Sequence, residues 1–572
     1  MRVRDVLLYD AAASGGTPLT VDRPRGSTPA SVAYAIGTVE PDIRSKNPAR
    51  IVTHPRDSSA GSQHSTGRDR NWIETTLCSR IKLGKMSKPM AGFSILVLVF
   101  GNQLCRAQSG PDPLKLGSVT VQGSVRSRVE GWRWFEGQSN SDYAFSGSFL
   151  RLMLSHPSDR FDWQVELEAP ILLALPSDAL GPGAQGQLGL GATYYVANRQ
   201  SQNAAMVFPM QGFVRFKKLF GSASNSLRIG RFQFADGGEA TPKDPTLALI
   251  KGSRINQRLI GTFTYTHVQR GFYGAQYQHD TPKLNWTVVG AFPTRGVFQV
   301  DGWGLMKTAF AYASVTRQLP HANTSAEWRF FGIYYDDWRT VLKVDNRPAA
   351  ARQADMSPIG MGTIGGHFLH SARTRLGTTD LVLWTALQFG RWGTLDQRAA
   401  AFDVEGGLQP PILKPLKPWI RFGYTYGSGD RDPKDGTNGT FFQLLPTPRQ
   451  FALFPFYNMM NNEDLFGIVI LRPSKPLTLK HESHWLRLAS KSDLWYLGGG
   501  AFQPWTFGFP GRPSNGSRGL ANVYDLNADY AFNSKTSLTA YWAYAVGHSV
   551  IANIYPGNKN GSLGFLELNI KF

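Results

Sequence analysis

The chain has 572 residues and a formal net charge of +20, with 42% hydrophobic, 12% aromatic and 18% charged residues. The charged fraction is below the usual quarter of a soluble protein, yet no apolar run reaches the roughly 18 residues of a membrane-spanning helix. A membrane protein without such helices must be a closed barrel, because every backbone polar group in lipid has to be paired internally. The basic residues form no dense block and accompany no nucleic-acid-binding motif, so nucleic acid is not an expected partner.

The amino-terminal part has no sign of a packed fold. Residues 1–85 show no sustained hydrophobic period, and we expect them to be disordered or to be a misassigned extension upstream of the true start. Residues 86–107 begin with Met86, carry a short apolar core and end in a small-x-small sequence before Gln108. This pattern is typical of a secretory signal peptide. The mature domain is therefore predicted to span 108–572.

Two cysteines, Cys78 and Cys105, lie before that domain. The mature chain is thus expected to have neither a disulfide nor a cysteine nucleophile. A lipidated Cys105 is an alternative, but Leu104 stands where a lipoprotein signal has a small residue.

Alternating apolar and polar residues begin at Val119 and recur to the end of the chain. The clearest example is 161–168, where Phe161, Val165 and Leu167 share one parity and Asp162 and Glu166 share the other. Such alternation predicts strands with one wet face. Further strands are predicted at Phe208–Phe216, Leu227–Phe234, Phe263–Tyr277, Leu284–Val289, Phe310–Thr316, Glu327–Tyr335, Leu381–Phe389, Ile420–Tyr426 and Leu538–Tyr544. Long irregular stretches at Ala235–Gly261, Thr340–Ile359 and Gly427–Pro448 are typical of extracellular barrel loops.

The chain ends on an amphipathic strand, 566–572, whose last residue is Phe572. A soluble sandwich could also end in this way. The terminal aromatic instead resembles the carboxy-terminal signal of bacterial outer-membrane barrels, which implies that the outer-membrane assembly machinery is a partner through Phe572. We therefore predict an all-β fold, a transmembrane antiparallel β-barrel of roughly 16–18 strands in one domain. Its expected location is the outer membrane of a Gram-negative-type bacterium, in contact with outer-membrane lipid.

Two stretches are more specific than alternation. The first runs from Leu227 through Gly261 to Gly274, and the second from Tyr426 to Pro446 with Phe454–Asn461, Asp493–Ala501 and Gly511–Ser514. Together they resemble the alginate-export family of outer-membrane proteins over most of 116–572. The resemblance implies a monomeric barrel of about 18 strands with an arginine-rich lumen that passes an anionic polysaccharide outward.

Passage of a polyanion requires exchangeable cationic contacts, for which arginine is suited because its planar fork stays charged and binds carboxylates bidentately. Strand parity gives the candidates Arg126, Arg128, Arg151, Arg215, Arg329 and Arg421. The family-like segment adds Arg254, Arg258 and Arg270. The alternative for each is a structural role in an ion pair with an acid such as Glu130 or Glu166.

Other chemistry is weakly indicated. Asp430, Asp432 and Asp435 are calcium-loop candidates, but their spacing departs from the EF-hand and favours a turn-forming loop. His481 and His484 face opposite sides of a strand and are not predicted to share a metal. No cofactor is expected.

The leading hypothesis is a non-catalytic outer-membrane channel for anionic polysaccharide or smaller anionic solutes. The alternative is a barrel enzyme of the lipase or protease type, although 108–572 is longer than such barrels require. A gated receptor is a third reading, disfavoured because no plug domain precedes the first strand.

Overall fold

The computed structural model describes residues 113–136, 140–181 and 186–572. These residues form a closed barrel of 18 antiparallel strands, within the range predicted from the sequence. The predicted signal peptide at 86–107 and the upstream residues 1–85 lie outside the described residues. No helix of the described residues is long and apolar enough to cross a membrane.

The barrel strands are numbered in chain order. They are β1 Val119–Arg133, β2 Asp142–His156, β3 Phe161–Leu173, β4 Phe208–Lys217, β5 Asn225–Phe232, β6 Phe272–Asp280, β7 Leu284–Pro293, β8 Thr308–Pro320, β9 Thr324–Asp337, β10 Ile359–Thr374, β11 Gly377–Trp392, β12 Leu395–Gln409, β13 Trp419–Gly427, β14 Asn462–Leu471, β15 Leu477–Arg487, β16 Gly519–Ala531, β17 Thr536–Gly547 and β18 Asn560–Lys571.

Each barrel strand pairs with the next one along the chain, and the last strand returns to the first. In this closing pair Arg128 of β1 lies opposite Glu567 of β18, and Val129 lies opposite Leu566. Closure leaves no unpaired edge in the ring, which is what a lipid environment requires.

The predicted alternation is confirmed on the wall. On β3, Phe161, Val165 and Leu167 are exposed on the outer face, whereas Glu166 and Glu168 are buried inside. The outer face is therefore apolar and suited to lipid, and the inner face is polar.

Short turns and long loops separate to opposite ends of the barrel. The end at which β1 begins and β18 ends has turns such as 157–160, 281–283 and 375–376, and the other end has loops 233–271, 428–461 and 488–518. Since periplasmic turns are short and extracellular loops long in such barrels, the loop end is the extracellular one.

Helices and minor strands lie in the connections. The α-helices are α1 Gly189–Ala197, α2 Pro245–Ile250, α3 Ala349–Ala354 and α4 Ser549–Ile554, with single turns at Leu219–Gly221, Lys251–Ile255 and Pro448–Gln450. Short strands occur at Leu114–Leu116, Ala204–Ala205, Thr437–Asn438, Leu494–Tyr496 and Gly511–Pro513. Helix α2 begins with Asp244 as its cap, whose carboxylate accepts the Leu247 N–H at 2.9 Å, and with Pro245 in its first turn.

The sequence-based strand at Phe263–Tyr277 was wrong in its first half. The observed strand β6 begins at Phe272, and residues 263–271 run inside the barrel with left-handed backbone at Phe263 and Gln269. A left-handed residue breaks the extended geometry of a strand. Strands β10, β12, β14 and β16 were missed, and β15 was predicted only around His481 and His484, without bounds. Strand β10 shows why: its glycines at 360, 362, 365 and 366 interrupt the apolar alternation.

Candidate functional site

Loop 233–271 enters from the extracellular end and crosses the length of the lumen. Three wall glutamines near the periplasmic end bind it: Gln278 donates to the Glu239 carbonyl at 3.0 Å, Gln318 to the Thr241 carbonyl at 3.1 Å and Gln409 to the Thr246 hydroxyl at 3.2 Å. The loop therefore fills the side of the lumen lined by β6 to β13.

Arg254 and Arg258 anchor this loop to β12. The Arg254 Nε lies 2.7 Å from Glu405 Oε1, and the Arg258 NH2 lies 2.8 Å from Asp403 Oδ2. All four side chains are buried. A buried charge is tolerated only when it is paired, so these contacts fix where the loop lies.

Arg329 and Arg421 also form ion pairs inside the barrel, but both project from the wall. Arg421 of β13 binds Glu405 Oε2 at 2.8 Å and also Asp380, while Arg329 of β9 binds Glu239 of the loop at 3.0 Å. Both arginines are buried. Their guanidinium groups neutralise carboxylates and have no exposed face for a passing solute.

Arg270 joins three extracellular loops and has no carboxylate partner among the residues that the structure describes. Its guanidinium donates to the carbonyls of Gly261 at 3.1 Å, Leu445 at 2.9 Å and Gly499 at 2.7 Å. Burial lowers the pKa of Arg270 to about 9, which leaves it charged at neutral pH. Loop 428–461 is also held by the wall, since Gln388 donates to the Phe442 carbonyl at 2.7 Å.

The other four predicted arginines rise along the wall formed by β1 to β4. Arg215 lies near the periplasmic end, Arg151 lies above it, and Arg126 and Arg128 lie near mid-height. The exposed fraction of the side chain falls along this series, from 47% for Arg215 and 32% for Arg151 to 15% for Arg126 and 4% for Arg128. They pair with Asp162, Glu166 and Glu567, and Arg128 also with Glu130.

Arg126 and Arg128 border a cavity of about 330 Å³ that faces β18. Arg126 NH1 donates to the Thr264 carbonyl at 2.6 Å, so the returning part of loop 233–271 forms the opposite side. Arg449 of loop 428–461 also borders this cavity. Its guanidinium lies 4.7 Å from the Tyr265 ring centre, and the Arg128 guanidinium lies 4.2 Å from the same point. Three arginines thus converge on one lumenal cavity.

The acidic partners explain what sequence reasoning missed. Four acidic side chains are buried on the inner wall, those of Glu327, Asp380, Asp403 and Glu405. The carboxylate of Glu327 lies 2.7 Å from the Lys251 ammonium of the loop. The pairing alternative is observed for Arg128 with Glu130 and for Arg151 with Glu166. Acidic residues at wall positions opposite a basic loop were the available signal, but the loop partners of Glu405 and Asp403 are 151 and 145 residues away in sequence.

The calcium-loop candidates separate in the structure. Asp432 and Asp435 are exposed, and each accepts a backbone N–H two residues ahead, from Lys434 at 3.0 Å and Thr437 at 2.8 Å. Asp430 is buried. These contacts favour the turn-forming role over a shared ion.

Comparison with known proteins gives a family. The family model described as alginate export matches residues 189–550. Similar solved structures include Pseudomonas aeruginosa OccK1 (OpdK), 9% identical with a TM-score of 0.46, and Acinetobacter baumannii OccAB4, 8% identical with a TM-score of 0.46. Each comparison covers 79% of this chain and 98% of the other. No curated protein matches the chain.

The matched region is more than half of the chain, and it lies within a closed barrel of 18 strands. The family points to transport rather than to an enzymatic reaction. The chain belongs to the alginate export family and is a solute channel of the Gram-negative outer membrane.

Proposed function

We propose that this channel passes anionic saccharides, or smaller anionic solutes, along the β1 to β4 wall. The observation that carries the proposal is the division of the nine predicted arginines into two groups. Arg126, Arg151 and Arg215 keep 15% to 47% of their side chains exposed and form a lumenal series that ascends from the periplasmic end. The others are buried: Arg128 pairs with Glu130 and Glu567, and the inner loops are held in place by Arg254, Arg258, Arg270, Arg329 and Arg421. Only the first group, the ladder arginines, is assigned to the solute path.

The ladder arginines suit transient binding because each is partly neutralised. Glu567 is shared by Arg128 at 2.6 Å and Arg126 at 3.7 Å, so one carboxylate serves two guanidinium groups. Arg449 adds a third positive charge to that cavity. A site with a small local excess of positive charge attracts an anion yet releases it, as conduction requires.

Saccharide carboxylates fit this arrangement chemically. A guanidinium donates two parallel hydrogen bonds to a carboxylate, and successive arginines along the β1 to β4 wall offer successive binding positions. Family membership supports an anionic polysaccharide as the class of solute.

The test is single-channel conductance of the purified barrel in a planar bilayer, with anion and cation permeabilities compared. We expect anion selectivity, and block by added polyuronate from the periplasmic side. The double variant Arg126→Gln, Arg151→Gln should reduce both the anion selectivity and the block by polyuronate. The matched control is Arg398→Gln, because Arg398 lies on the outer face of β12 with a 75% exposed side chain.

Cation selectivity of the wild-type channel would overturn the proposal. Equal polyuronate block of wild type and of the Arg126→Gln, Arg151→Gln variant would remove the ladder arginines from the path.

A further inference from the structure

Three ionisable side chains from neighbouring strands meet at mid-height on the inner wall. Glu482 and His484 lie on β15, and Asp525 of β16 lies directly opposite Glu482. One ligand atom from each of the three lies within 4.8 Å of the others, and all three side chains are buried. This spacing allows all three to contact a single ion.

His484 is oriented as a metal ligand would be. Its Nδ1 lies 2.8 Å from Asp464 Oδ2, while its buried Nε2 has no hydrogen-bond partner among the described residues. When Nδ1–H donates to a carboxylate, the lone pair is fixed on Nε2, which is the usual second-shell arrangement around a metal-binding histidine. A buried acceptor without a partner is otherwise unfavourable.

We infer that Glu482, His484 and Asp525 bind a divalent transition-metal ion of the Zn²⁺ class. One imidazole nitrogen and two carboxylate oxygens suit such ions better than Ca²⁺ or Mg²⁺, which prefer oxygen ligands alone. The ion joins β15 to β16 within the wall. This site is distinct from the ladder arginines and does not depend on the proposed solute.

Two neighbouring groups already use part of the carboxylates. The Lys480 ammonium lies 2.9 Å from Glu482 Oε2, and the Tyr541 hydroxyl donates to Asp525 Oδ2 at 3.0 Å. These contacts use one oxygen of each carboxylate, and the second oxygen is the one assigned to the ion. Lys480 acts as a competing cation, so removing its charge strengthens metal binding.

The chain supplies its own control residue. His481 lies on the opposite face of β15, where its Nδ1 contacts the Asp525 backbone carbonyl at 2.8 Å and its Nε2 contacts Ser483 Oγ at 3.0 Å. It is a histidine of the same strand that does not take part in the cluster.

The experiment measures Zn²⁺ bound by the purified, chelator-stripped barrel in detergent, using titration calorimetry and elemental analysis after dialysis. Wild type and His481→Gln are expected to bind one Zn²⁺ that His484→Gln does not. Asp464→Asn should weaken binding by about 10-fold to 100-fold, as loss of a second-shell carboxylate does. Lys480→Met should bind more tightly than wild type.

Thermal unfolding provides a second measurement. Because an ion that binds only the folded state raises its stability, Zn²⁺ should raise the melting temperature of wild type and His481→Gln but not of His484→Gln. Equal Zn²⁺ binding by wild type and His484→Gln would overturn the inference, as would weaker binding by Lys480→Met. If His484→Gln fails to fold, the Lys480→Met comparison, which leaves all three ligands in place, decides the matter.

Discussion

Phe572 closes the barrel against Gly123. The Gly123 N–H donates to the Phe572 carbonyl at 2.8 Å, and the Phe572 N–H donates to the Gly123 carbonyl at 2.9 Å. The Phe572 ring lies over the glycine, since a Cβ at position 123 would be 2.2 Å from the ring Cε2 atom. The absence of a side chain at 123 therefore lets the terminal ring approach β1 closely.

The first prediction separates assembly from stability. Phe572→Ala keeps the two backbone bonds but removes a ring that is 55% exposed. We propose that the assembly machinery recognises this ring, and we therefore expect a clear fall in the yield of folded barrel in outer membranes. The melting temperature of the barrels that do assemble should change little.

Quantitative blotting of heat-resistant barrel measures that yield. Gly123→Ala is the companion variant, since it displaces the ring without deleting it. A wild-type yield from Phe572→Ala would show that the terminal ring is not part of an assembly signal.

The second prediction concerns the buried pair of Arg258 and Asp403. Removing one partner by Arg258→Met leaves Asp403 uncompensated and should cost about 3–5 kcal/mol. The double variant Arg258→Met, Asp403→Leu should cost less than either Arg258→Met or Asp403→Leu alone, because it leaves no unpaired charge. Equilibrium unfolding of the four proteins forms the cycle, and additive single effects would contradict the pairing.

The third prediction concerns Arg270, which ties loops 233–271, 428–461 and 488–518 together. A lysine at this position keeps the charge but has no planar fork, so it cannot reach carbonyls on all three loops. Arg270→Lys should increase loop opening, seen as more frequent conductance steps and faster proteolysis within the loops. Unchanged gating noise and cleavage rates would argue against this role.

The fourth prediction is a pH dependence in loop 338–358. Although burial opposes ionisation of Asp355, hydrogen bonds from the Thr394 N–H and the Arg347 guanidinium hold its pKa at about 2. Because the pKa of Asp355 is lower in the folded loop than in an unfolded chain, the ionised carboxylate stabilises the loop at pH values above the unfolded pKa. This stability is lost as the pH falls to about 2.

Asp355→Asn should therefore expose the loop to pepsin faster than wild type at pH values near 5. The difference should shrink as the pH falls toward 2, where about half of the Asp355 carboxyl groups are protonated. A constant ratio of cleavage rates across this range would contradict the assigned pKa.

Some of the fold was readable from local pattern. The alternation at 161–168 showed which side chains share a face, because adjacent residues of a strand point to opposite faces. Strand β10 was not readable, since its glycines carry no side chain by which to mark a face. The metal cluster was also hidden, because Asp525 meets Glu482 only through strand pairing.

The sequence alone determined that this protein is an outer-membrane barrel of the alginate export type, because strand alternation, a terminal aromatic and family-like segments are all local properties of the chain. The tertiary structure decided what the arginines do. Arg254 and Arg126 were both lumen candidates in the sequence, but burial against Glu405 makes Arg254 an anchor of loop 233–271. Arg126 is partly exposed and borders a lumenal cavity. Such partners are set by long-range pairing around the closed ring, which no local pattern encodes.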